Sequence, residues 1–287
     1  MENNKLILAG SGYMGNAILK QIESREHELS IIELARTEKK RSGKIKSIKI
    51  DFDNIQENMD YIDNSKIIYM APPDNNSKKD TRIEKFLHNI ERYKIIRFIY
   101  VSTSGVYGDC QGEVVIEKKM VNPSTDRAKR RVDAEQQITK FCEDRGIDLI
   151  VLRVPGIYGK NRLPMKRINA SEPLIIQEQS RVTNLIHVED LSRIAIRALN
   201  INIDGTEIVN VSDGTAIKTT LYYETIYKVL KKRLPNYITF DDALKCYDAK
   251  RISFLKESRV LNTEKMDRLF PDCIEYRHIE EGIKASL

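Results

Sequence analysis

The chain has 287 residues, 41% apolar and 31% charged, which suits one large or two small packed domains and excludes a disordered chain. Its 48 basic and 42 acidic residues leave a formal charge of +6, interleaved along the chain, which suits an anionic small ligand and argues against nucleic acid as a partner. Cys110, Cys142, Cys246 and Cys273 form no C-x-x-C pair, no apolar run is long enough for a membrane span and no leader pattern opens the chain, so free thiols, no metal, no membrane and a cytoplasmic location are expected.

Residues 5–9 (KLILA) read as a buried strand, followed by a glycine-rich turn and a helix over 16–26. Further strands are predicted over 29–36, 45–51, 66–71 and 97–102, with helical spacing over 80–93 between the last two. A long helix over 124–145 leads to a sixth strand over 148–153. Strands alternating with helices predict a parallel sheet covered on both faces. After Arg153 the rhythm changes, because Pro155, Pro164 and Pro173 break the chain into short elements. A helix over 189–199, a strand over 206–211 and an amphipathic helix over 221–232 follow. The expected fold class is α/β. A Rossmann-type doubly wound parallel sheet occupies 1–155, and the chain returns to it at about 182–214. Residues 156–181 and 215–287 form a smaller C-terminal α+β substrate-side domain.

The turn Gly10-Ser11-Gly12-Tyr13-Met14-Gly15 lies between a strand and a helix, the context that a dinucleotide fingerprint needs. Gly10 permits the tight turn, Gly12 lets the backbone approach a pyrophosphate, and Gly15 lets the helix pack on the strand. The free N–H groups and the dipole of the helix then face the phosphates. All six turn residues are candidate cofactor contacts. Glu33, 18 residues after Gly15, is close to the position of an acid that reads an NAD ribose. Arg36 and Thr37, followed by Lys39, Lys40 and Arg41, instead suit the 2′-phosphate of NADP. The cofactor is therefore NADP or NAD, with the lean to NADP. Asp51, at the end of the third strand, is either an adenine-edge contact or a plain turn residue.

Further motifs follow in a fixed order. Met70-Ala71-Pro72 ends the fourth strand, residues 102–108 (STSGVYG) the fifth, and residues 152–159 (LRVPGIYG) the sixth. Residues 184–191 (NLIHVEDL) and 209–214 (VNVSDG) come next. From about residue 5 to 215 this order resembles the extended short-chain dehydrogenase/reductase superfamily of NAD(P)-dependent sugar epimerases and dehydratases. The C-terminal part, with Ser258 to Asn262 and Tyr276 to Leu287, resembles a subgroup of atypical members. The resemblance places Ala71, Pro72 and Pro155 on the cofactor side. It implies that Thr103, or its neighbour Ser104, hydrogen-bonds a substrate oxygen.

The superfamily also uses a Tyr and, four residues later, a Lys. Aligned on Pro123 and Glu135, these positions hold Arg127 and Arg131, and no tyrosine occurs between Tyr107 and Tyr158. Arginine does not shuttle protons near neutral pH, since its pKa lies above about 12. Arg127 and Arg131 share one helix face. They form either a clamp for cofactor ribose, phosphate or an anionic substrate, or part of a solvated basic face with Lys129 and Arg130. Tyr107 is a candidate replacement acid/base, Tyr158 a candidate in the same role or as a pocket residue, and Arg162 a candidate anion ligand on the substrate side. His187 is expected to be structural, and Tyr222, Tyr223 and Tyr227 to pack the small domain. The expectation is an NAD(P)-binding oxidoreductase or epimerase/dehydratase-like protein with altered acid/base chemistry, acting on a small anionic or sugar-like substrate. The alternative is a non-catalytic NAD(P)-binding sensor or regulatory protein. The resemblance further implies a homodimer through the helices flanking the fifth strand, although the charge of residues 124–145 counts against it.

Overall fold

The computed structural model describes residues 5–24, 29–41, 43–75 and 77–287. Seven strands form the central sheet: β1 (Lys5–Ala9), β2 (Ser30–Ala35), β3 (Ile45–Lys49), β4 (Ser65–Tyr69), β5 (Ile95–Thr103), β6 (Asp148–Val154) and β7 (Thr206–Asn210). Their spatial order is β7-β6-β5-β4-β1-β2-β3, and every pairing is parallel. The order reverses between β1 and β4. In open parallel sheets, ligands bind outside the carboxyl ends of the strands at such a switch point.

The strands are apolar on both faces because helices cover both. Leu6 and Leu8 of β1 join one core with Ile18, Leu191 and Ile194, while Ile7 and Ala9 join the other with Tyr69, Phe86 and Ile138. The first face carries α1 (Tyr13–Glu23) and α4 (Val188–Ala198), packed together; the second carries α2 (Thr81–Ile90) and α3 (Asp126–Glu143). Phe86 lies with its ring centre 5.1 Å from Phe52 and 5.0 Å from Tyr69, fully buried. Truncating such a ring to alanine costs about 3–5 kcal/mol.

Helix α1 starts at Tyr13, earlier than the pattern predicts, because Gly12 itself is its N-cap; it ends at Glu23. Positions 25 and 26 of the predicted helix lie outside the described residues. The smaller unit packs α5 (Thr219–Val229) against a C-terminal helix (Ile279–Ala285) around Tyr158, Leu174, Tyr223, Ile226 and Ile283. One part of the C-terminal stretch departs from that unit. Met266, Phe270 and Cys273 are buried in the same core as Leu6 and Leu8. Met266 lies on the short helix Glu264–Leu269, and Phe270 and Cys273 follow in the turn after it; together they return the chain to the sheet beside β7. Among the described residues no helix is long and apolar enough to cross a membrane, and no cluster of His, Cys, Asp and Glu is placed to hold a metal.

Candidate functional site

The glycine turn sits at the carboxyl end of β1. The Gly10 and Ser11 N–H groups both donate to the Leu34 carbonyl, at 3.0 and 3.1 Å, which fastens the turn to β2. Gly10 has φ of +79°, and a Cβ there would stand 2.4 Å from the Ala71 nitrogen. A Cβ on Gly15 would meet Ser11 Oγ at 2.2 Å. Gly12 differs: the nearest atom to an added Cβ is 4.0 Å away, so the space before the helix is open. No side chain caps α1 and no acid stands in its first turn. Its N–H groups are therefore left for an anion, and the turn fits a dinucleotide pyrophosphate. The Met14 side chain is turned away from this space and buried in the core.

Across the switch point, Thr103 ends β5 and accepts a hydrogen bond from the Gly105 N–H at 3.2 Å. Helix α3 begins next to it, capped by Thr125 Oγ1 on the Ala128 N–H at 3.2 Å. One turn of α3 carries both candidate arginines, and the structure sends them different ways. Arg131 reaches inward to the Tyr100 hydroxyl at 2.9 Å and the Ala71 carbonyl at 3.4 Å, behind the glycine turn. Arg127 points into a cavity of about 670 Å³ that Thr103, Pro155, Tyr222 and Tyr223 also line. Three other arginines line it too, and each is ion-paired: Arg167 and Arg251 with Glu172, and Arg259 with Glu257. Arg127 makes no ion pair among the described residues; its guanidinium lies 4.1 Å over the Phe254 ring.

Residues 6–212 match the family described as NAD dependent epimerase/dehydratase. The chain belongs to that family. Over 144 residues, 44% of the chain, it is 24% identical to a dTDP-D-glucose 4,6-dehydratase of Dictyostelium discoideum. The match spans only 32% of that curated relative's length. In fold it is similar to a functionally unknown conserved protein from Silicibacter pomeroyi, with TM-score 0.83, 21% identity, and 98% and 97% of the two chains covered. It is also similar to a UDP-glucuronic acid 4-epimerase from Bacillus cereus in complex with UDP-glucuronic acid and NAD, with TM-score 0.79, 16% identity, and the same coverage of 98% and 97%.

Several side chains of this epimerase/dehydratase family member are not where sequence reasoning puts them. Glu33 lies inside the protein, its side chain wholly inaccessible. Its carboxylate accepts from Ser11 Oγ at 2.7 Å, Lys39 Nζ at 2.8 Å, and Arg41 through Nε at 2.7 Å and Nη2 at 2.8 Å. Burial alone would raise its pKa, but the bonds from Arg41, Lys39 and Ser11 outweigh burial and hold it at about 2. Covered on all sides and bonded to Ser11, Lys39 and Arg41, the Glu33 carboxylate has no oxygen turned to the site, so the structure does not present it as a ribose acceptor. The strand ends instead on Ala35, with Arg36 and Thr37 exposed beyond it. Asp51 is exposed and accepts from the Asp53 N–H at 3.1 Å; the Pro72 carbonyl accepts from Arg82.

Tyr107 is corrected as a candidate acid/base. It is buried, its hydroxyl donates to Asn210 Oδ1 at 2.7 Å, and it accepts from Arg153 at 3.0 Å. Arg153 in turn forks onto Glu135, which also accepts from Ser102 Oγ. This buried network was missed from sequence; the Glu135 and Arg153 charges on predicted core elements were its one signal. Tyr158 is corrected as a pocket residue. It is buried edge-on against His187, and burial pushes its phenol far above the usual range. Ser104 is buried beside Thr103. Arg162 lies 4.6 Å over the Tyr13 ring, whose hydroxyl donates to the Lys160 carbonyl, so it stands by the glycine turn and not in the cavity. His187 is structural: it caps α4 through Nδ1, and Nε2 meets Ser286 Oγ. Sequence reasoning also missed Phe254, Tyr247 and Arg251, which reach the cavity from more than a hundred residues beyond Thr103.

Proposed function

We propose that the chain is a dinucleotide-dependent oxidoreductase or epimerase of this family, acting on a small anionic or sugar-like compound without a Tyr-Lys proton shuttle. The observation that carries this reading is Arg127: an arginine without an ion-pair partner among the described residues, on the wall of a cavity that Thr103 shares. The dinucleotide, when bound, supplies or accepts a hydride. Gly10, Gly12 and the N-terminus of α1 hold its pyrophosphate, and Arg131, Ala71 and Pro155 flank it. NADP is the favoured form, because Glu33 is saturated and the strand end offers Arg36. Thr103 Oγ1 already accepts from Gly105, which leaves its proton to donate to a substrate oxygen. Arg127, permanently charged, holds a substrate carboxylate or phosphate or stabilises charge that develops on that oxygen.

The test is turnover of NADPH and NADH with paired carbonyl compounds, one of each pair carrying a carboxylate or phosphate, and with sugar nucleotides, which the dehydratase and epimerase likenesses bring into range. Turnover confined to anionic compounds, and lost in Arg127→Ala and Thr103→Ala, is the expected result. A second reading, a dinucleotide sensor, is favoured by the inward-turned phenols of Tyr107 and Tyr158. Dinucleotide binding without turnover of any compound selects it.

A further inference from the structure

The cluster around Glu33 carries a specificity role that differs from the one its position suggests. One buried carboxylate is ion-paired with two cations, and Glu23 is the only other acid that acts noticeably on Arg41 among the described residues. The cations are arranged by several bonds. Lys39 Nζ also donates to the Ser11 carbonyl at 3.2 Å and to Asn16 Oδ1 at 3.3 Å, and Arg41 Nη2 donates to the same Asn16 oxygen at 2.8 Å. The backbone N–H of Lys39 donates to Ser47 Oγ at 3.1 Å, which pins the loop after β2 to the middle of β3, at the residue that pairs with Glu33. The two cations therefore sit between the glycine turn, the first turn of α1 and the end of β2. The Lys39 and Arg41 side chains remain 32% and 21% exposed, while that of Glu33 is fully covered. Arg41 Nη1 has no hydrogen bond among the described residues.

We propose that Glu33 is a positioning residue that holds Lys39 and Arg41 as a receptor for the 2′-phosphate of NADP. The acid thus works in the opposite sense to a ribose-binding carboxylate: it faces the protein and presents cations outward. A flexible lysine and arginine lose side-chain entropy when they grip an anion, and holding them beforehand removes that cost. Arg36, exposed just beyond the end of the strand, is a further cation of this segment. The inference rests on the dinucleotide reading above.

The test is calorimetric titration of the whole protein with NADP+, NAD+ and adenosine 2′,5′-bisphosphate. The wild type is expected to bind NADP+ at least tenfold more tightly than NAD+. Arg41→Ala, at a partly exposed site, is expected to lose at least tenfold in NADP+ and bisphosphate affinity with NAD+ affinity unchanged. Glu33→Gln keeps the bond to Ser11 and removes the ionic anchor, and its NADP+ affinity is expected to fall toward that of NAD+. A Glu33→Gln protein that binds NADP+ more tightly overturns the anchor, since charge alone would then decide. NAD+ bound as tightly as NADP+ by the wild type, or equal losses for both in Arg41→Ala, overturns the receptor while leaving the dinucleotide reading intact. Failure of all three ligands to bind overturns both. If Glu33→Gln does not fold, the Arg41→Ala comparison decides.

Discussion

Arg127 stacks 4.1 Å above the ring of Phe254, a residue that is 53% exposed. The pair joins α3 of the sheet domain to the Ala249–Leu255 helix of the smaller unit, at the cavity. Two substitutions separate the roles of the pair. Arg127→Ala is expected to lower affinity for an anionic ligand about 10–100-fold, the size of a lost charge-assisted hydrogen bond of about 1.5–3 kcal/mol. Phe254→Ala removes only an exposed cation–π contact of about 0.5–1 kcal/mol, so a loss of about two- to fivefold is expected. Both should melt within a few degrees of wild type, since neither side chain is in the core. Equal losses for an uncharged analogue would remove Arg127 from anion recognition.

The glycine turn yields a second prediction because its three glycines do different jobs. Gly12→Ala brings its methyl group no closer than 4.0 Å to any atom, so the variant should fold normally. It should lose dinucleotide affinity, since the methyl group enters the space before α1. Gly10→Ala puts a methyl group 2.4 Å from the Ala71 nitrogen on a backbone with positive φ, and should be destabilised. Thermal melts with and without dinucleotide check both. A Gly12→Ala protein that binds as well as wild type would place the pyrophosphate elsewhere.

The contrast between these sites shows what was legible beforehand. Local rules suffice for β1, the glycine turn and the alternation through β6, because a strand, a turn and a helix depend on residues within about twenty positions. Glu33 shows where such rules end. Spacing finds an acid after the turn, but Lys39 and Arg41 claim it only once the loop after β2 folds back. The same holds for Tyr107, whose partners Asn210 and Arg153 lie 103 and 46 residues away. Met266 and Phe270 are four apart, as on a helix, yet the helix ends at Leu269. Only the tertiary fold decides that both side chains join the sheet core and not the small unit.

Tyr107 provides a third prediction, one that distinguishes a structural phenol from a catalytic one. Tyr107→Phe removes the hydroxyl shared by Asn210 and Arg153 and should cost about 1–3 kcal/mol. Glu135→Ala leaves the buried Arg153 without its carboxylate and should cost more, about 3–5 kcal/mol. Urea unfolding measures both. Dinucleotide affinity and any turnover per folded molecule should be unchanged in Tyr107→Phe. A drop in turnover at constant stability would restore Tyr107 to the chemistry.

Asp213 gives a pH dependence. It is 1% exposed, and burial raises its carboxyl from the usual 3.8 to about 7, although the Thr215 N–H and hydroxyl both donate to it, at 2.8 and 3.0 Å. The neighbouring Asp190 carboxylate pushes in the same direction as burial. Between those two values the folded chain keeps a proton that the unfolded chain has released. Stability therefore falls as pH rises from about 4 to about 7 and is flat above, as far as this group is concerned. Glu33 acts with the opposite sign in a lower window: held at about 2, its contribution is present above its usual 4.5 and is lost as pH falls toward 2. Asp213→Asn abolishes the upper window alone. Relative to wild type, the variant should gain unfolding free energy steadily from about pH 4 to about pH 7 and no further, measured by urea titration across that range. A difference between the two proteins that stays constant with pH would mean that Asp213 is ionised throughout, its charge carried by the Thr215 bonds.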